Sequence, residues 1–123
     1  MADTLTVLPC CPPISQSELS ADEAEDLAAT LKAVADPARL RILSMIQAQP
    51  EGEACVCHLT EPLGLGQPTV SHHLKKLEDA GFLRHDRRGR WVYYRAVPEA
   101  LALVQAVFAP RSKRAPRATR RSA

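Results

Sequence analysis

The side chains with the widest chemical reach in this 123-residue chain are its four cysteines, Cys10, Cys11, Cys55 and Cys57. They come as two close pairs. Cys55 and Cys57 flank Val56 at the expected entry of a helix, where a thiol's pKa is lowered, and thiolate is the form that binds soft ions. Cys10 and Cys11 sit between Pro9 and Pro12. An adjacent pair makes a strained disulfide, and two cysteines on an extended arm have little packing reason to exist, so ion capture is the favoured reading for them. Either Cys55 or Cys57 taken alone also reads as a small buried hydrophobe. Residues two apart on a regular helix lie about 200° round its axis, so Cys55 and Cys57 join one ion only if the turn is distorted. His58 reads as a surface or capping residue before it reads as a further donor.

The second chemistry is charge. The formal net charge is only +2, but it is segregated. Residues 1–36 carry seven acidic side chains against Lys32, whereas Gln67 to Arg95 holds seven basic residues against three acidic, and Arg111 to Ala123 holds six basic and none acidic. A basic middle and a basic tail suit a polyanion. Within the middle, Gln67, Thr69, Ser71 and His72 are short polar groups of the kind that read base edges from the start of a helix. Lys75, Lys76, Arg87, Arg88 and Arg90 suit phosphates, or a minor groove for the arginines. Ser71 beside His72 has the residue types of a nucleophile and its base, but helix neighbours do not face each other and no third group orients them. His72 and His73 cannot easily share an ion for the same reason. The chain is therefore read as no enzyme, with double-stranded DNA as partner and no organic cofactor.

These groups need elements to hold them. Residues 1–17, with Pro9, Pro12 and Pro13, are expected as a flexible arm carrying Cys10 and Cys11. Residues 18–109 are expected as one folded domain and residues 110–123 as a disordered basic tail. Ser20 with Glu23 makes a capping box opening a helix whose apolar positions run from Ala24 to Ala35. Asp36-Pro37 caps and starts a second helix with Leu40, Leu43 and Ile46 inward and Ile42 and Met45 broadening that face. A short helix is expected from Cys55 to Leu63, then a turn at Gly64-Leu65-Gly66. The next helix, from Gln67 to about Ala80, turns Val70, Leu74 and Leu77 inward and stops at Gly81. Phe82–His85 and Trp91–Arg95 read as a hairpin around Gly89, with Trp91, Tyr93 and Tyr94 in its core. A last helix follows Pro98. The expected class is mainly α with a small β-hairpin, in the order α-α-α-α-β-β-α: a winged helix-turn-helix. No apolar run approaches the roughly 20 residues that span a bilayer. Met1 to Leu8 lacks the features of a signal peptide. The expected location is therefore the cytoplasm, with reduced thiols and no membrane partner.

Three stretches carry a resemblance: LKAVADPARLRILSMI, EACVCHLTE and LGQPTVSHHLKKLEDAGFLRHDRRGRWVYYR. Together, over roughly Leu19 to Ala109, they resemble the ArsR/SmtB metalloregulatory repressors. The resemblance implies a homodimer through the first and last helices, bound to a two-fold operator and released by an effector. The run from Glu53 to Leu59 resembles the E-L-C-V-C-D-L box of arsenite-responsive members, which implies As(III) or Sb(III) as the effector. Both ions favour three sulfur ligands in a pyramid. Some such members have a third cysteine where this chain has Thr60, so the third sulfur is expected from Cys10 or Cys11. Gly66 stands where many members have serine, and glycine remains an acceptable N-cap. The last helix lacks the paired Asp and His ligands of zinc-type members, since Glu99 alone does not replace them. Alternatives are a repressor sensing Cd(II), Pb(II) or oxidants, an architectural DNA binder with incidental cysteines, and a metallochaperone-like thiol protein.

Overall fold

The computed structural model describes residues 13–111. Cys10, Cys11 and the tail beyond Arg111 lie outside them. Helix α1 spans Ala21–Val34 and α2 spans Pro37–Ala48. Strand β1 is Glu53–Cys55, α3 is Val56–Leu63 and α4 is Gln67–Asp79. The wing strands are β2, Leu83–Arg88, and β3, Trp91–Ala96; α5, Pro98–Val107, follows.

The caps act as their residue types dictate. The Glu23 N–H donates to Ser20 Oγ at 3.1 Å while the Ser20 N–H donates to Glu23 Oε1 at 2.9 Å, so two otherwise orphaned amides at the start of α1 are satisfied. Asp36 Oδ2 accepts from the Arg39 N–H at 3.1 Å, and this amide is the main cause that holds the Asp36 carboxyl below its ordinary pKa. Gly81 (φ 93°) ends α4 and Gly89 (φ 64°) turns the wing, both in the region that only glycine enters without strain.

The core gathers where α2, α3 and α4 meet the base of the wing. Ile42, Ile46, Leu59, Val70, Leu74 and Leu77 are fully buried there, with Phe82 beneath. The spacing of Val70, Leu74 and Leu77 places them on one stripe of α4. Fixing that stripe inward fixes the opposite face outward.

The structure departs from the sequence reading in several places. The sheet has three strands in the order β1-β3-β2, because Glu53–Cys55 pairs antiparallel with β3, Cys55 opposite Tyr93. Cys55 therefore precedes α3 as its extended N-cap (φ −94°, ψ 168°), where the sequence reading placed it inside the helix. The wing strands run further towards the tip than expected, leaving Gly89 and Arg90 between them. Leu40 is 54% exposed: Ile42, Leu43 and Ile46 define the inward face of α2, and Leu40 lies roughly 110° from its middle. Trp91, expected in the hairpin core, is 51% exposed, because it lies opposite Arg88 at the wing tip, beyond the reach of the core.

The described end of the N-terminal segment is tied down. The Ile14 N–H donates to the Val107 carbonyl at 3.0 Å and Ser15 Oγ–H to the Ala109 carbonyl at 2.9 Å. Among the described residues no helix is long and apolar enough to cross a membrane.

Candidate thiol site and nucleic-acid interface

The junction of β1 and α3 brings together what helical geometry would separate. Cys55 is still on extended backbone and Cys57 is the second residue of the helix. The 200° separation therefore does not apply. The two sulfurs meet as a disulfide with the Cα atoms 5.3 Å apart. This departs from the expectation of free thiols at both positions, and its reason is the extended cap. Cys55 is buried at 3% exposure, while Cys57 is exposed. His58 turns back, its Nδ1 accepting from the Cys55 N–H at 3.3 Å. The sulfurs and a His58 ring nitrogen all lie within 4.8 Å of one another. His58 is thus both the capping group of the sequence reading and a neighbour of the thiol pair. Soft-ion capture needs the reduced pair, because a disulfide offers no thiolate.

A cavity of about 220 Å³ opens beside the sulfurs, lined by Cys55, Cys57, Thr60, Gln67, Arg90 and Trp91. It touches both the first residue of α4 and the tip of the wing.

On α4 the side chains predicted to face outward do so. Gln67, Thr69, His72, Lys75 and Lys76 are exposed and Ser71 is half-buried. Lys75 reaches Asp79 at 3.5 Å, both well exposed, a contact worth little in water. The helix starts with Gly66 as a cap lacking a side chain and Pro68 in its first turn, so its leading amides and their partial positive charge point outward. His73, the neighbour of His72, has a different task. Its Nδ1 lies 3.0 Å from Arg39 Nη1, and Arg39 Nε donates to the Ala33 carbonyl at 2.6 Å. One guanidinium thus ties the end of α1 and the start of α2 to α4. Lys32 adds its charge to the same side, in a groove of about 480 Å³ shared with Arg39, Lys75 and Lys76. Sequence reasoning singled out neither Lys32 nor Arg39 for this surface, because each lies more than thirty residues from the lysines it joins.

The wing arginines divide. Arg87 and Arg90 are exposed and have no ion-pair partner among the described residues. Arg88 is engaged. Its Nη1 and Nη2 donate to Glu53 at 2.6 and 2.9 Å, and its Nε donates to Asp86 Oδ2 at 3.0 Å. Its guanidinium lies 4.7 Å over the Tyr93 ring. Arg95 Nη2 adds a third bond to Glu53, at 3.0 Å. The hydrogen bonds from Arg88, then from Arg95, hold the Glu53 carboxyl down to about 2. On the other face of β2 and β3, His85 Nδ1 meets Glu78 at 2.6 Å. Burial is the main cause that raises the Tyr94 phenol, with Glu78 adding to it.

Comparison with known proteins agrees with this geometry. Residues 36–85 match the family described as bacterial regulatory protein, arsR family. An arsenic resistance transcriptional regulator of Pseudomonas putida is 47% identical over 77 residues, 63% of this chain and 59% of that protein. The chain thus spans under two thirds of that relative's length. A cadmium resistance regulatory protein homologue of Staphylococcus aureus is 31% identical over 80 residues, 65% of this chain and 64% of that one. Among solved structures, the homodimeric winged helix-turn-helix DNA-binding domain of a possible ArsR-family transcriptional regulator from Mycobacterium bovis superposes with a TM-score of 0.57. It shares 32% identity, over 76% of this chain and 87% of that one.

Proposed function

Because the chain belongs to the arsR family of bacterial regulatory proteins, DNA-binding regulators and not enzymes, we propose that it represses a two-fold operator as a homodimer and releases it when its thiols capture As(III) or Sb(III). The observation that carries this reading is the convergence of Cys55 and Cys57 in one cavity with Gln67, the first residue of α4. An effector bound there acts where the DNA-reading helix begins.

Gln67, Thr69, Ser71 and His72 would contact base edges, and Lys75, Lys76, Arg87 and Arg90 phosphates. Arg88 was grouped with these by sequence, but its charge is already matched by Glu53 and Asp86. The dimer would form through α1 and α5. Phe108, 53% exposed at the end of α5, and Ile14, 42% exposed beside it, are apolar groups that such an interface would cover.

For capture, the reduced pair supplies two sulfurs and Cys10 or Cys11 the third. Arsenous acid with three thiols gives a tris-thiolate and three waters, with no change of oxidation state. Successive major grooves on one face of DNA lie about 34–36 Å apart. A few ångströms of error at each half-site, or a coupling of roughly 3–5 kcal/mol, gives a strong response.

The disulfide supports a second reading, in which oxidation of Cys55 and Cys57 is itself the signal. The 31% identity with a cadmium resistance regulatory protein homologue keeps Cd(II) in the comparison, and Pb(II) is tested beside it as a second soft ion. Operator gel shifts with reduced protein, run with arsenite, antimonite, cadmium, lead and a thiol oxidant, separate these. Release by micromolar arsenite or antimonite is expected. An operator complex that survives both sinks the reading, and release by the oxidant alone establishes the second. Cys10→Ser with Cys11→Ser is expected to abolish the arsenite response and leave DNA binding intact.

A further inference from the structure

Glu53 is the first residue of β1, and its side chain is only 11% exposed. It accepts two hydrogen bonds from Arg88 and one from Arg95. The topology makes the Arg88 contact unusual. In the order β1-β3-β2, β1 and β2 are not neighbours, so the Arg88 side chain crosses the whole of β3. It does so on the Tyr93 ring. Tyr93 itself pairs with Cys55 on β1 and with Asp86 on β2. Successive side chains of a strand alternate between faces, so Glu53, Arg95, Tyr93, Asp86 and Arg88 share one face of the sheet. On this face the carboxylates of Glu53 and Asp86 match the charges of Arg88 and Arg95, with Arg84 opposite Arg95 beside them.

An arginine that grips a phosphate needs donors to spare and a charge not already matched. Arg88 lacks the second. Arg87 beside it and Arg90 across the turn have both.

We propose that Glu53 is a positioning residue that braces the wing, with Arg88 and Arg95 as its struts, and that only Arg87 and Arg90 carry the wing's phosphate contacts. The brace fixes the slope of the hairpin against β1, and hence where the tip meets the DNA backbone. It also ties the wing to the strand that ends in Cys55. The inference rests on the wing lying against DNA, as the family reading has it.

The test is the salt dependence of binding to duplex DNA, measured with the full chain, because the slope counts phosphate contacts and is blind to stability as such. Arg87→Gln and Arg90→Gln are each expected to make the slope of log K against log salt shallower by about one. Arg88→Gln and Arg95→Gln are expected to leave it unchanged. Glu53→Gln frees two guanidinium groups, so its slope is expected to steepen by about one or two while the ratio of specific to non-specific affinity falls. Thermal unfolding of each variant checks that it is folded, and the arginine variants test the brace independently if Glu53→Gln is not. If Arg88→Gln flattens the slope as Arg87→Gln does, Arg88 is a DNA contact and the brace is overturned, with the wing reading intact. If none of the four arginine variants moves the slope, the wing does not touch DNA and both fail.

Discussion

Helix α4 and the β1–α3 junction make an instructive contrast, since each presents functional side chains and each does so by opposite means. On α4 regularity does the work. A buried stripe of Val70, Leu74 and Leu77 sets the rotation of the helix, and the outward-facing groups follow from the 3.6-residue repeat. At the junction, interruption does the work. Cys55 and Cys57 meet only because the chain changes from strand to helix between them. A periodic element can be read from its pattern, whereas a site made at a break depends on where the break falls.

The contrast can be tested from both sides, and the strongest test is on the stripe. Leu74→Ala is expected to cost about 2–5 kcal/mol of stability through the lost burial and the cavity left behind, read by urea unfolding. A cost near zero would mean that α4 is not anchored by this face. Gln67→Ala, on the outward face, is expected to leave the unfolding midpoint nearly unchanged and to cost roughly 1–3 kcal/mol of operator discrimination; equal loss on specific and random DNA would remove its base-reading role.

At the junction the two cysteines are expected to separate in stability while failing together in response. Cys55→Ser buries a hydroxyl in place of a thiol and should cost roughly 1–3 kcal/mol, whereas Cys57→Ser, at an exposed position, should stay within about 0.5 kcal/mol. Both should abolish arsenite release, and a normal response from either would break the shared site. Away from the cysteines, Ser20→Ala removes one side of the α1 capping box and should cost about 1 kcal/mol, with the response to arsenite unaltered.

The mildest test uses acid. The folded value for Glu53, about 2, lies below its ordinary 4.5, so the ionised carboxylate favours the folded state. Its contribution is complete above about 4.5 and is lost as pH falls through about 2. Glu53→Gln is expected to flatten the stability profile across that window, and an unchanged acid limb would show that the brace contributes nothing to folding.

How legible each feature was follows from the range of the interaction behind it. The caps at Ser20 and Asp36, the α4 stripe and the glycines at 81 and 89 depend on residues within one or two turns, and all were readable. Strand β1 has only three residues, too few for a period, and exists because Tyr93 and Arg95 come to lie beside it. Glu53 and Arg88 are 35 residues apart, so sequence assigned Arg88 by its charge alone. Leu40 was placed inward because it fits the i, i+3 spacing, yet tertiary packing centres the face on Ile42, Leu43 and Ile46 and leaves Leu40 at its edge. Of the four cysteines, the pairing at the junction emerged with β1, while the part given to Cys10 and Cys11 stays a matter for the operator assay.

The exposed Trp91 has a consequence for measurement. It is the only tryptophan in the chain and it lines the cavity that holds Cys55 and Cys57. Its emission is therefore a private channel to the thiol site, undiluted by any other indole. Heavy-atom quenching or a spectral shift there would clock effector arrival in real time. On the proposed function, the interval between that optical event and the loss of DNA would measure how fast capture at Cys55 and Cys57 is felt along α4.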